Sequence, residues 1–219
     1  MNMHVDSISD INSYGLDINN REIYLHSYIG SHEEEAPGVD YRMTAMFYKN
    51  LRLLDTVNQN PIIIHMHSVG GNWYDGMAIF DAITVCQSHI TIIVYGQAES
   101  MSSVILQAAD ARIMMPNSYF MAHFGSSGYE GNYLDVQQAA RFEKKETELM
   151  LDIYSERMIK GKYIKESYTT PTQDKVKNFL KRKLKDGDWY LDANEAVYYG
   201  LADNVLNSRR CPSIDSLKT

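Results

Sequence analysis

Residues 90–101, ITIIVYGQAESM, decide the fold. Residues 90–95 are apolar and β-branched with no polar alternation, the pattern of a strand buried on both faces. Gly96 closes that strand, and an apolar helix follows over residues 100–109. A buried strand that turns into a helix begins a βα unit of a parallel sheet. In open α/β sheets, reaction sites lie at the carboxyl ends of strands. Ser100 therefore falls at a strand end and a helix N-terminus, where developing negative charge is stabilised. The Met101 amide, next along, is placed as an oxyanion donor. A simple N-cap is the competing reading of Ser100.

Working outward, residues 61–67 (PIIIHMH) repeat the buried-strand pattern and end in Ser68-Val69-Gly70-Gly71. Paired glycines there either bring backbone N–H groups close to a ligand or make a tight turn. Trp73, Met77 and Phe80, with Ile79 and Ile83, space a covering helix. Residues 21–29 read as a strand. Residues 41–57 read as a helix through Met43, Phe47, Leu51 and Leu54. Residues 30–40, with Glu33, Glu34 and Glu35, read as a solvated loop or an acidic patch. Downstream, residues 112–115 and 119–122 are strands, and 125–131 (GSSGYEG) is a loose glycine-rich segment. A long helix spans about 133–158, with Ala139, Phe142, Leu149, Met150, Ile153 and Tyr154 on its apolar side. Residues 160–185 form a basic, polar run, either a solvated face or an anion-binding surface. Asp192 and Glu195 make a capping box for a short helix that ends at Gly200. The order of elements implies right-handed βαβ crossovers and a largely parallel sheet flanked by helices.

Length and composition bound the rest. A chain of 219 residues is one domain: a body over 21–205, an N-terminal arm over 1–20 and a C-terminal tail over 206–219. Lys plus Arg number 21 against 28 Asp plus Glu, a net charge of −7 that argues against a nucleic-acid partner. No apolar run reaches the ~18–20 residues of a membrane span. Cys86, on an apolar helix, and Cys211 do not make a disulfide framework, and the N-terminus lacks a secretory pattern. Both point to the cytoplasm. The 16 tyrosines and 12 methionines fit either an oligomer interface or ordinary core use.

His123 lies at a strand end before the glycine-rich segment, as a structural hydrogen-bonder or as a base. A Ser and a His on neighbouring strand ends can meet, and acyl transfer needs that pair plus a carboxylate. His65 and His67 share one face of a strand, but no third ligand accompanies them, so no metal is expected. No G-x-x-x-x-G-K-[ST] motif is present, so ATP hydrolysis by that route is not expected of this chain.

These residues carry a resemblance. Gly96-Gln97-Ala98-x-Ser100-Met101 is followed by Pro116-Asn117-Ser118 with His123, and then by Gly128-Tyr129-x-Gly131 with Asp135. Ser68-x-Gly70-Gly71 precedes Gly76-Met77-Ala78-Ile79-x-Asp81, and Glu195-Ala196-x-x-Tyr199-Gly200-Leu201-x-Asp203 lies near the end. In this order, over about 21–205, they resemble the proteolytic subunits of the ATP-dependent Clp protease family. The resemblance implies an α/β crotonase-like fold with a protruding helical handle at about 125–187, and a cofactor-free Ser-His-Asp peptidase. Ser100 would be the nucleophile, His123 the base, and Asp188 the third member, with Asp186 as the fallback. The N–H groups of Gly71 and Met101 would form the oxyanion hole. Gly125, Ser126, Ser127 and Gly128 would pair with the substrate strand. The partners implied are a polypeptide substrate, a separate ATP-dependent unfoldase, and further copies of the chain in a homo-oligomeric ring, a heptamer or stacked double heptamer.

Four positions depart from the family pattern: Val69 stands in place of a proline, Glu99 of a small residue, Ser102 of a glycine and Gly187 of an arginine. Two other readings stay open, the first of them motivated by Glu99 and Gly187. One is a catalytically silent ring subunit. The other is an acyl-CoA enzyme of the wider crotonase superfamily, which would use the paired amides without the Ser100–His123 pairing.

Overall fold

The computed structural model describes residues 7–26, 38–209, 211 and 213–217. Residues 27–37, which include the three glutamates of the loop expected over 30–40 and the end of the expected first strand, lie outside the described residues. Chain order is α1 (Ser7–Tyr14), β1 (Leu16–Asp17), β2 (Glu22–His26), α2 (Tyr41–Val57), β3 (Ile62–Ser68), α3 (Trp73–Thr84), β4 (Ile90–Glu99), α4 (Met101–Leu106), β5 (Ala111–Met114), β6 (Tyr119–Ala122), α5 (Tyr133–Met158), α6 (Lys162–Ser167), α7 (Gln173–Lys185), β7 (Trp189–Asp192), α8 (Ala193–Tyr199) and β8 (Asn204–Val205).

The sheet runs β1-β2-β3-β4-β5-β8, with β6 joined to β4 and β7. Among the described strands, only the β1/β2 and β6/β7 pairs are antiparallel. The apolar runs of β3 and β4 lie at its centre. Ile62, Ile64, Ile92 and Val94 face the main core, which α2, α3, α4 and the second half of α5 complete. Ile63, Ile93 and Ile113 point to the opposite face, as strand alternation requires, and there meet Leu206 and Cys211. Cys86 lies just past the C-cap of α3 rather than on the helix, half-buried, and burial pushes its thiol up to about 11.

β4 is longer than expected, and the extra length positions the site. It does not stop at Gly96, which adopts a left-handed φ of +60°, but continues to Glu99. Met66 of β3 pairs with Val94, yet Ser68 pairs with Ala98, so β4 bulges between them. Before the bulge, residues 91–94 pair with β5; after it, residues 97–99 pair with β6. The end of β4 is thus handed from the main sheet to the β6/β7 ribbon.

Two helical expectations change. α5 has the expected bounds, but its apolar side is buried only from Met150 onward, while Phe142 and Leu149 are exposed. α7 packs against α5 and meets it at Glu148 and Asp152, in the second half. The basic run contains two helices, and Val176, Phe179, Leu180 and Leu184 of α7 are buried at helical spacing. Of the lysines between them, Lys177 pairs with Asp152 and Lys181 with Glu148 of α5. The capping box at Asp192 and Glu195 is reciprocal, and Gly200 closes α8 at a φ of +81°.

Candidate active site

Ser100 occupies the turn from β4 into α4 with φ +53° and ψ −125°. A non-glycine residue there is strained, and such strain persists only where its surroundings enforce it. Several bonds do so. The Ser100 N–H donates to Met121 O of β6 at 3.0 Å, and the Ser100 carbonyl accepts from the Ser103 N–H at 3.0 Å. The Ser103 hydroxyl donates to the same carbonyl at 2.6 Å and also meets the Tyr154 hydroxyl in the core. The N-cap reading of the side chain fails, because Oγ makes no bond to a helix amide. It lies instead 2.8 Å from His123 Nε2.

His123 follows the last residue of β6, and the antiparallel β6/β7 pairing sets Ala122 opposite Trp189. Asp188, just before Trp189, is thereby brought alongside. Its Oδ1 is 3.3 Å from His123 Nδ1. With the ring proton on Nδ1, that nitrogen donates to Asp188, and Nε2 is free to accept from the Ser100 hydroxyl. Asp186 is the C-cap residue of α7 and is exposed. Between the two aspartates, Gly187 has a φ of +119°, with open space where a Cβ would stand. An arginine at this position would strain the backbone, so the departure at Gly187 belongs to the turn that delivers Asp188.

The two amides have an orientation that follows from peptide planarity. Gly70 O accepts from the Val39 N–H at 2.7 Å. The trans peptide points the Gly71 N–H the opposite way, away from Val39. By the same rule, the Ser100 carbonyl points into α4 and the Met101 N–H points out of its start, where helix amides lack intrahelical partners. Gly71, Ser100, Met101 and His123 line one cavity of about 460 Å³.

The glycine turn and the serine are in close contact. A Cβ on Gly70 would stand 2.7 Å from both Ser100 Cβ and Met101 N. Ser102 accounts for its own departure from the family pattern. Its hydroxyl donates to Ser68 Oγ at 2.7 Å, and that oxygen accepts from the Gly70 N–H at 3.2 Å. Ser68 and Ser102 are wholly buried, so this network ties the end of β3 to α4. Val69 is exposed.

Residues 125–131 have no regular structure and are exposed. Gly125, Ser126 and Ser127 line the cavity, whereas Gly128 does not. Glu99 opposes Met121 across the β4/β6 pair. Burial and the Asp188 charge push its carboxyl up from the ordinary glutamate range, and His123 pulls it partly back. It therefore lies within electrostatic reach of both.

The cavity also holds side chains that sequence reading passed over. Glu143 and Glu146, one turn apart on α5, both line it. Their i, i+3 spacing behind GSSGYEG was the available signal. His65 is occupied otherwise: Nδ1 meets the Tyr95 hydroxyl and Nε2 meets Glu22, both at 3.1 Å. Among the described residues no group of three His, Cys, Asp or Glu could hold a metal, and no helix is long and apolar enough to cross a membrane.

A strand-end serine against a histidine, on a largely parallel sheet with flanking helices, is an arrangement found among peptidases, and the comparisons with known proteins give the family. The sequence model of the Clp protease family matches residues 35–209. Over 175 residues the chain is 31% identical to the ATP-dependent Clp protease proteolytic subunit of Deinococcus radiodurans, with 78% of each chain covered. Over 175 residues it is 29% identical to the ATP-dependent Clp protease proteolytic subunit 2 of Pseudomonas aeruginosa, with 79% of each covered. The chain belongs to the Clp protease family, whose fold is the α/β crotonase-like one.

Proposed function

We propose that the chain is a serine endopeptidase, the proteolytic subunit of a self-compartmentalising, ATP-dependent Clp-type protease that degrades unfolded polypeptides. The observation that carries this reading is the run of contacts from Ser100 Oγ to His123 Nε2 and from His123 Nδ1 to Asp188. As Ser100 Oγ attacks a peptide carbonyl, His123 Nε2 takes its proton. Asp188 holds the ring orientation and stabilises the imidazolium that forms. The N–H groups of Gly71 and Met101 donate to the carbonyl oxygen as it gains charge. His123 then gives its proton to the departing amine, and water repeats the sequence on the acyl-enzyme. Residues 125–128 offer backbone to the substrate strand. No step calls for a cofactor.

The assembly follows the family: a cytoplasmic homo-oligomeric ring, single or stacked, fed by a separate unfoldase. Exposed apolar side chains support it, among them Tyr133, Leu134 and Phe142 on the free half of α5 and Tyr41 on α2. Native mass and hydrolysis of an unstructured polypeptide, measured on one sample, test the reading. A ring-sized species that cuts the chain, and loses this ability in Ser100→Ala, is the expected result. An assembled ring that never cuts would make the chain a silent subunit, and a fully active monomer would remove the compartment.

A further inference from the structure

Glu143 and Glu146 lie on one face of α5, three residues apart, and both line the cavity that holds Ser100. The Glu143 carboxylate accepts from the Ser127 hydroxyl. Glu146 Oε1 is buried and accepts no hydrogen bond among the described residues. The Tyr74 hydroxyl reaches the Glu146 carboxylate, and that contact raises the Tyr74 pKa. No ion pair among the described residues joins Glu143 or Glu146 to a cation. Elsewhere on the same helix, the carboxylates that face α7 are matched: Glu148 by Lys181 and Asp152 by Lys177. Two like charges on adjacent turns repel, and a buried carboxylate oxygen without a donor is costly. The rest of the lining is mixed, with Trp73, Val104 and Met150 among its apolar members and Asn72 and Thr147 among its polar ones. The cavity is thus shaped for a long side chain with an aliphatic stem and a cationic head.

Building on the peptidase reading, we propose that this cavity is the subsite for the residue whose carbonyl is attacked, and that Glu146, with Glu143, selects lysine or arginine there. Ser100, Gly71 and Met101 line this cavity, so a carbonyl held between the Ser100 hydroxyl and the two amides has the cavity within reach of its own side chain. The apolar members of the lining take the methylenes, and Glu146 Oε1 accepts the hydrogen bond that the chain itself leaves unmade. Acidic side chains are repelled, and aliphatic ones leave the carboxylate unpaired, so both are cut more slowly.

Three peptides that differ only in arginine, leucine or glutamate before the scissile bond test this, with the cut site read by mass spectrometry. The wild-type assembly should cut the arginyl peptide with a kcat/KM at least about tenfold above the leucyl one, the low end for a hydrogen bond to a charged group, and the glutamyl peptide slowest. Glu146→Gln should lower the arginine-to-leucine ratio by about tenfold on the same basis, and Glu143→Gln should lower it less. The ratio is taken within one sample, so a reduced folded fraction cancels. A wild-type preference for leucine, or an unchanged ratio in Glu146→Gln, overturns the subsite while the peptidase reading stands, because peptide is still cut. If no peptide is cut and Ser100 takes no fluorophosphonate adduct, both readings fall.

Discussion

Ser100 places its hydroxyl 2.8 Å from His123 Nε2 while its own backbone is held at φ +53°. The strain and the contact have one origin. β4 leaves the main sheet at its bulge, runs along β6, and must reverse sharply into α4, and that reversal exposes the Ser100 side chain on the ribbon that ends in His123. A serine on a strained strand-to-helix turn recurs among serine hydrolases for the same reason. Replacing it separates chemistry from backbone. Ser100→Ala should remove peptide hydrolysis by on the order of 10⁶, with His123→Ala similar and the double variant little worse. Ser100→Gly should be equally inactive but melt above Ser100→Ala, because glycine accepts the positive φ. Calorimetry on the two variants checks this, and equal melting temperatures would mean that the turn stores no strain.

The aspartate assignment separates two positions only two residues apart. Asp188→Asn should slow hydrolysis by up to about 10⁴ in a protein that still folds. Asp186→Asn, altered at an exposed helix C-cap, should change little. Steady-state rates on both variants decide between them, and the reverse pattern would place the carboxylate at Asp186.

Ser102 should act through the oxyanion turn. Ser102→Ala removes the hydroxyl that donates to Ser68 Oγ, which in turn accepts from the Gly70 N–H. Loss of a buried hydrogen bond of this kind should cost about 1–3 kcal/mol. In the proposed mechanism the Gly71 amide acts on charge that develops after binding, so the variant should also lower kcat more than it raises KM. Ser102→Thr, which restores a hydroxyl, should recover part of the rate. Denaturant titration and kinetics on the pair provide the check, and a Ser102→Ala variant with wild-type kcat would detach the network from catalysis.

Glu99 should make stability pH-dependent. Its folded-state pKa is raised, so its charged form is penalised in the folded chain. The contribution of the neutral form is fully present below the ordinary glutamate pKa of about 4.3 and is lost as pH rises through the raised value. Glu99→Gln stays neutral throughout. Its stability relative to wild type should therefore rise from acid toward neutral pH and then level off. Parallel denaturant titrations across that range measure the difference, and a difference independent of pH would place Glu99 outside the field of Asp188.

Much of this was legible in the chain, for physical reasons that also explain the rest. β3 and β4 were readable because Ile62–Ile64 and Ile92–Val94 are unbroken β-branched runs, as a strand buried on both faces requires. α2 and α5 were readable from their spacing, and α8 from its cap. The extension of β4 was not, because Gly96 reads as a stop, whereas here it permits a bulge and an exchange of partner strands. α7 was hidden by its lysines, whose density masks four apolar positions at helical spacing. Ser100 and His123 could be picked out as strand-end residues, but their meeting depends on β6 pairing with the end of β4. The turn that carries Asp188 depends on the positive φ of Gly187, which composition does not reveal. Glu143 and Glu146 read as ordinary surface charges of a long helix until the cavity beneath them is seen.

The central claim is that Ser100 is a nucleophile activated by His123, and its most direct test is intact-mass analysis after exposure to a fluorophosphonate. The account predicts one adduct per chain, located at Ser100, absent in Ser100→Ala and strongly slowed in His123→Ala. A folded, assembled protein that takes no adduct, or takes one at another residue, would contradict it.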